Sequence, residues 1–333
     1  MRTWAFFHGS RRIGKWVQCG RLVRFGVTMA WFGFSLVVLA GVLWAGMAVV
    51  VASAGRHRCG MDTVQPLSAL FVLLVGGGLK VCGVGASSGV TSGCEWLPEA
   101  AWLAASLVAL AGLGNYLMLI FAQRAMAVGP SGVVWAFTQS SLIWPFVVGM
   151  TVFGEAPTAG RLGGTALIVV ALCLFSRVRG GGQQESGRGG MGWLRLTLMA
   201  FVLSGFAQTA ASLPSYMGLA GLRPLERSLL LNAGIVASAA GAALVQRGVP
   251  PMSLMAVWHA LAFAAMNLLS QVLMYLGMDR LASASCAGIA YPVAQGVSIG
   301  MFFVWQSFQS RVPWMGIAGL LVLLAGIVLC GLG

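Results

Sequence analysis

Two short sets of uncharged polar side chains recur within apolar stretches, and the chemistry they offer is hydrogen bonding. Thr138 and Gln139 follow Trp135 in one stretch, and Tyr291 and Gln295 lie four residues apart in another. Residues at that spacing share one face of an α-helix. Hydroxyl and amide groups can hydrogen-bond a substrate, and the aromatic rings offer flat apolar contact. We predict that these residues line a neutral substrate cavity; the alternative is that they only join helices.

Two ionisable side chains lie in or beside apolar stretches and are candidates for tuning that cavity. Lys80 follows three consecutive glycines, and His259 lies beyond a Pro-Pro pair. Ionisable groups within a membrane span are costly and therefore mark sites. Lys80 would attract an anionic substrate group, and His259 would sense protons or bond the substrate. The alternatives are that Lys80 extends to the membrane interface and that His259 hydrogen-bonds between helices.

Two prolines interrupt apolar stretches that would otherwise be continuous helices. Pro145 and Pro292 each lack the backbone N–H that a helix interior needs. Such breaks serve as hinges in many transporters, and they also occur as ordinary bends. We predict hinges at both positions.

Catalytic, metal-binding and cofactor-binding patterns are weak or missing in the sequence. Gly129-Pro130-Ser131-Gly132 fits the GxSG motif of intramembrane serine proteases, with His259 downstream, but that alternative rests on abundant residue types. The sequence contains no GxxxxGK[ST] motif for ATP, and its seven cysteines form no CxxC pair. We predict a protein that is not an enzyme and that needs no metal or cofactor.

The composition requires that all of these side chains be positioned by membrane helices. Of 333 residues, 59% are apolar and 8% are charged, whereas a soluble domain has about 25% charged residues. So few charges cannot cover a water-facing surface, which excludes a soluble enzyme, a disordered chain and a nucleic-acid-binding domain. The net charge of +13 is explained by anionic lipid headgroups, so membrane lipids are the expected partners.

The 27 charged residues (20 basic and 7 acidic) fall in clumps that separate ten long uncharged runs. A helix of about 20 apolar residues spans a bilayer, and such runs must be helical because hydrocarbon offers backbone groups no partner. The first run exceeds the apolar core of a signal peptide, so we expect a retained helix. The runs are 25–54, 63–79, 100–123, 125–154, 162–176, 196–222, 228–246, 248–278, 281–310 and 312–333.

A glycine-rich polar segment, GGGQQESGRGG, divides the ten runs five and five. Because five is odd, the second set must enter the membrane upside down, which makes an inverted repeat. A shift of 155 residues places Leu119–Ala127 opposite Met274–Ala282. The predicted parts are a basic arm at 1–24, a first repeat at 25–177, a linker at 178–191 and a second repeat at 192–333.

The basic arm also bears on orientation, because basic residues favour the cytoplasmic side. Its six basic residues predict a cytoplasmic N-terminus, and ten helices would return the C-terminus to the same side. Four arginines around the linker favour the opposite orientation. We predict a multi-pass protein of the cell inner membrane with both termini cytoplasmic.

The end of the first repeat carries the most specific pattern. Residues 125–171 read AMAVGPSGVVWAFTQSSLIWPFVVGMTVFGEAPTAGRLGGTALIVVA, in which Gly154-Glu155 ends one helix and a Gly-rich helix follows. This segment resembles the EamA-like branch of the drug/metabolite transporter superfamily. The second repeat has Gln309-Ser310 where the first has Gly-Glu. The resemblance implies a ten-helix secondary transporter whose cavity lies between the halves, surrounded by the third, fourth, eighth and ninth helices.

We therefore expect an all-α membrane protein with ten transmembrane helices in two inverted five-helix repeats. It would move a small metabolite, most simply as an exporter, by alternating access and without ATP. The alternatives are a flippase for a lipid or lipid-linked sugar and, in another class, a non-transporting membrane scaffold. The expected partners are a small-molecule substrate and lipids, with no nucleic acid, and a homodimer is left open.

Overall fold

The computed structural model describes residues 19–57, 59–83, 99–128, 134, 137–156, 158–179, 192–217, 222–246, 252–308 and 314–332. Within these ranges the regular structure is helical throughout and contains no β-strand. The α-helices of this part of the chain are α1 (Cys19–Arg56), α2 (Met61–Val81), α3 (Glu99–Val128), α4 (Ile143–Thr151), α5 (Ala159–Arg179), α6 (Gly192–Tyr216), α7 (Pro224–Gln246), α8 (Leu254–Ser283), α9 (Ala290–Ser307) and α10 (Trp314–Leu332).

The hydropathy of these helices identifies an all-α, multi-pass membrane protein, as predicted. Eight helices of the described residues are long and apolar enough to cross a bilayer: α1, α2, α3, α6, α7, α8, α9 and α10. α5 contains a shorter apolar stretch, Ala159–Leu174, and α4 has only nine residues. Eight of the ten uncharged runs overlap a single helix, whereas 125–154 includes the end of α3 as well as α4, and 281–310 includes the end of α8 as well as α9. Ten complete spans stay a prediction. Most of the predicted basic arm lies outside the described residues, and α1 begins within it.

Both predicted hinge prolines lie where a 3₁₀ turn becomes an α-helix. The 3₁₀ turns Ser140–Leu142 and Ala287–Ile289 run directly into α4 and α9, and Pro145 and Pro292 are the third residues of those helices. A proline cannot donate to the carbonyl four residues earlier, which suits the first turn of a helix and not its interior. The prolines therefore mark a change of helix type at matching places in the two halves. Their role as hinges stays a prediction.

Glycines set the distance between the helices that pack most closely. Gly33 of α1 lies against Gly277 of α8, so that a Cβ on Gly277 would lie 2.9 Å from the Gly33 carbonyl oxygen. Likewise, a Cβ on Gly326 of α10 would lie 2.8 Å from the carbonyl oxygen of Gly164 in α5. Small residues allow backbones to approach in this way, which is how helices gain packing energy in lipid.

The tightest of these contacts joins α3 to α7. A Cβ added to Gly234 would overlap the carbonyl oxygen of Ala109, and one added to Gly112 would overlap that of Leu231. Both contacts are with backbone, which cannot move aside without separating the two helices. The α3–α7 interface is therefore built for glycine at both positions.

We predict that Gly234→Ala lowers the free energy of unfolding by about 1–3 kcal/mol, because the added methyl group overpacks the interface. Gly241→Ala is the matched control: it lies on the same helix with no atom within 4 Å of the added Cβ. This control should be neutral or stabilising by up to about 1 kcal/mol, since alanine favours helix. Unfolding of the purified protein by SDS titration measures both; equal effects of the two substitutions would contradict the prediction.

Candidate functional site

A cavity of about 540 Å³ lies within the bundle and is lined by side chains from both sides of the linker. α1, α2 and α3 contribute from the first half, together with Gln139 and a residue of α5, and α6 to α9 contribute from the second half. This set is wider than the four helices that the family resemblance implied. Cavities of this size hold small organic molecules.

Three of the predicted site residues line this cavity, namely Gln139, Tyr291 and Gln295. Thr138 does not line it: the side chain is buried, and its hydroxyl donates to the Val134 carbonyl oxygen at 2.9 Å. A threonine hydroxyl bound to its own helix in this way is not available to a ligand. Trp135 lies outside the described residues.

The two predicted ionisable residues both lie away from the cavity. Lys80, near the end of α2, is 57% exposed and forms an ion pair with Glu226 at 2.9 Å. His259 lies close to the start of α8, with Nδ1 2.7 Å from the Met255 carbonyl oxygen and Nε2 3.2 Å from Ser53 Oγ. Neither side chain lines the cavity. The exposed position of Lys80 near the end of α2 fits its alternative interpretation. The contact of His259 with Ser53, which joins α8 to α1, fits the alternative of a hydrogen bond between helices.

On one wall, three amide side chains form a closed ring of hydrogen bonds. Asn267 donates to Asn232 at 3.2 Å, Asn232 donates to Gln271 at 3.1 Å, and Gln271 donates back to Asn267 at 2.8 Å. Ser228 also donates to the Gln271 oxygen, at 2.7 Å. The ring joins α7 to α8, and mutual bonding stabilises such buried groups. Asn267 and Gln271 line the cavity, but their bonds are largely used within the protein.

A second polar cluster joins the start of the α4 region to α6. Ser141 donates to Ser204 at 2.7 Å, and the Gln208 amide nitrogen donates to both serine oxygens, at 3.1 and 2.9 Å. Ser204 and Gln208 line the cavity. Sequence reasoning missed Gln208, because no spacing pattern distinguishes it from other polar residues in apolar helices.

Two amide oxygens at the cavity have no hydrogen-bond partner. They are Oε1 of Gln208 and Oε1 of Gln295, and both atoms are buried. Gln295 as a whole is only 7% exposed. Leaving a buried acceptor unpaired costs about 1–3 kcal/mol. Native proteins rarely tolerate that cost without a function, and a bound ligand would relieve it.

Aromatic rings and the absence of charge define the rest of the site. The Trp44 indole N–H donates to Ser270 Oγ at 3.1 Å, and the Trp44 ring lies 6.2 Å from that of Tyr291, centroid to centroid. Among the described residues, none that lines the cavity carries a formal charge. No group of three or more His, Cys, Asp or Glu residues able to hold a metal lies in this part of the chain.

One ion pair joins α7 to α8 at the end of the bundle where α7 begins and α8 ends. It lies beyond Tyr275 as seen from the cavity. Arg227 is 2% exposed and contacts Asp279 through two parallel bonds of 2.9 and 3.1 Å. Its guanidinium also donates to Ser215 and to the Leu222 carbonyl oxygen, both at 2.8 Å. These contacts join α6, α7 and α8 at this end of the bundle. The sequence places Arg227 and Asp279 at the edges of uncharged runs, which did not predict that the two residues form a pair.

At the same end, Glu155 connects the two halves. It is buried, and its carboxylate accepts from the backbone N–H of Gly288 at 3.0 and 3.3 Å. Gly288 belongs to the 3₁₀ turn that leads into α9. Burial raises the pKa of Glu155, while the backbone N–H groups of Gly288 and Ala287 and the charge of Arg161 act in the opposite direction. Glu155 of the first half therefore caps the 3₁₀ turn that leads into α9 in the second half.

Arg227→Met should lower the free energy of unfolding by about 1–3 kcal/mol, because it leaves the partly exposed Asp279 carboxylate without its partner. The double variant Arg227→Met with Asp279→Leu should recover part of that loss, since no unpaired charge remains. SDS titration of the two single variants and the double variant gives the coupling energy. A double variant that is as unstable as the sum of the singles would contradict a direct pair.

Glu155 should make stability depend on pH. The pKa of Glu155 in the folded protein is raised above its ordinary value of 4.5, so the folded protein binds the proton more tightly than the unfolded chain does. The free energy of unfolding therefore falls as the pH rises from about 4.5 through the raised pKa. Glu155→Gln should remove this part of the pH dependence. Unfolding midpoints at several pH values test it, with Asp62→Asn, an exposed acidic residue, as control. Equal pH slopes in wild type and Glu155→Gln would contradict the assignment.

Comparison with known proteins identifies the fold only. No family model matches the chain, and no curated protein matches it. Among the matching solved structures is one described only as "Crystal structure of protein", with a TM-score of 0.62 and 14% sequence identity over 91% of this chain and 98% of that chain. The chain therefore shares the fold of that structure over nearly its whole length.

Proposed function

We propose that this chain is a secondary transporter that moves a small metabolite across the membrane by alternating access, without ATP, and in the direction of export. The observation that carries the proposal is the uncharged cavity, which is lined from both sides of the linker. In alternating access such a cavity would open to one side of the membrane at a time.

The pairing of the helices supports an inverted repeat of five plus five. If α1 to α5 correspond in order to α6 to α10, the counterpart of the contact between α1 and α8 is the contact between α6 and α3. These two contacts are among the most extensive in the bundle. Under the same correspondence, the pair α5–α10 and the pair α2–α7 are each their own counterpart, and the helices of both pairs are in contact. The 3₁₀ turns and prolines that begin α4 and α9 correspond as well.

These features, with the resemblance of residues 125–171, support membership of the EamA-like branch of the drug/metabolite transporters. The proposed place is the cell inner membrane. The proposed cytoplasmic position of both termini rests on the basic arm at 1–24 and on an even number of spans.

The proposal is tested by untargeted metabolomics on cells that express the protein, with medium and cytoplasm assayed separately. A compound that is enriched in the medium and depleted inside identifies the exported substrate. The double variant Gln139→Ala with Gln295→Ala should reduce that export about tenfold or more, because each lost hydrogen bond is worth about 1 kcal/mol.

Thr151→Val is the matched control, because Thr151 lies on an exposed face of α4 and its hydroxyl bonds only to the Val147 carbonyl oxygen. It should export like wild type at equal membrane expression. Full activity of the double variant would overturn the cavity assignment. The absence of any soluble substrate would overturn metabolite transport and favour the flippase, with the scaffold as the remaining alternative.

A further inference from the structure

Two residues that line the cavity each have a buried acceptor atom without a hydrogen-bond partner. Among the described residues, four buried side-chain nitrogen or oxygen atoms have no partner: Arg161 Nε, Gln208 Oε1, Thr209 Oγ1 and Gln295 Oε1. Two of the four belong to residues that line the cavity, and both are amide oxygens. An amide oxygen can only accept. A ligand that relieves both atoms must therefore bring hydrogen-bond donors.

Other polar groups of the same wall already bond within the protein. Asn267 and Gln271 donate to, and accept from, members of their own ring. The nitrogen of Gln208 is held by two serine hydroxyl oxygens, which fixes that amide at its nitrogen end. Satisfied networks of this kind resist disruption, so a ligand would bond beside them and not replace them.

The electrostatics of the cavity disfavour an ion. The described residues that line it include none with a formal charge. The charged pair beyond Tyr275, Arg227 with Asp279, is already bonded within the protein. An unpaired ion in such an apolar interior bears a large desolvation cost.

The remaining wall suits a flat apolar body. Its aromatic side chains include Trp44, Phe263, Tyr291, Phe302 and Phe303, and methionines fill the gaps between helices. Aromatic faces give large contact areas, and methionine adapts to ligand shape.

We infer that the cavity selects an uncharged, largely flat apolar molecule that carries N–H or O–H donors for the amide oxygens of Gln208 and Gln295. This inference rests on the proposed function for its biological meaning, because the ligand would be the transported substrate. The binding itself is a property of the cavity and can be measured without transport.

The test uses four probes that share one ring system, with the protein in lipid nanodiscs and binding measured by calorimetry. 2-Naphthamide is neutral and has two N–H donors, and N,N-dimethyl-2-naphthamide is neutral and has none. 2-Naphthoate is an anion, and 2-naphthylmethylammonium is a cation. 2-Naphthamide should bind at least about tenfold more tightly than each of the other three probes. Compared with it, the dimethyl analogue lacks one to two hydrogen bonds, and each ion would bury a charge.

Two variants of Gln295 show whether the selectivity comes from the cavity. Gln295→Met keeps the length of the side chain and removes the acceptor, so the preference for 2-naphthamide over its dimethyl analogue should fall about tenfold. Gln295→Glu adds a negative charge and should shift the preference toward 2-naphthylmethylammonium. Thr151→Val, on an exposed face of α4, should leave all four affinities unchanged.

Equal binding of 2-naphthamide and its dimethyl analogue, a preference for either ion, no binding of 2-naphthamide, or an unchanged preference in Gln295→Met would each overturn the inference. The outcome is separate from that of the transport experiment. Donor-dependent binding without export would sustain the inference and overturn the transporter. Export of a substrate without donor-dependent binding would sustain the transporter and overturn the inference.

Discussion

The structure depends on close approach between helix backbones. Between helices in lipid, no hydrophobic driving force exists, because the solvent is as apolar as the side chains. Packing contact and hydrogen bonds must therefore supply the association energy. Gly33 with Gly277, Gly112 with Gly234, and Gly164 with Gly326 bring three helix pairs to backbone contact, and the polar rings and clusters lie between helices held in place by these contacts.

The interior then follows a second rule, that polar groups in an apolar medium must bond to one another. The amide ring of α7 and α8 and the serine cluster around Gln208 obey it almost completely. The departures at Gln208 Oε1 and Gln295 Oε1 are informative for the same reason: an unpaired buried acceptor on a residue that lines the cavity indicates where a ligand would complete the network.

Two contacts at one end of the bundle join parts of the chain that are distant in sequence. Glu155 reaches Gly288 across 133 residues, and Arg227 reaches Asp279 across 52. One contact links the first half to the second, and the other holds two helices of the second half together. A movement of the two halves relative to each other would have to break or move the contact of Glu155 with Gly288.

The sequence by itself determined the class and the elements. Uncharged runs of membrane length require helices, since lipid leaves backbone groups no other partner. The spacing of Tyr291 and Gln295 predicted a shared helix face, and both residues line the cavity. Tertiary structure decided which polar groups serve the cavity: Thr138 bonds its own helix, Lys80 and His259 lie near helix ends, and Gln208 joins the site. Hydropathy and periodicity are properties of a single helix, whereas a hydrogen-bond partner on another helix depends on how the helices pack.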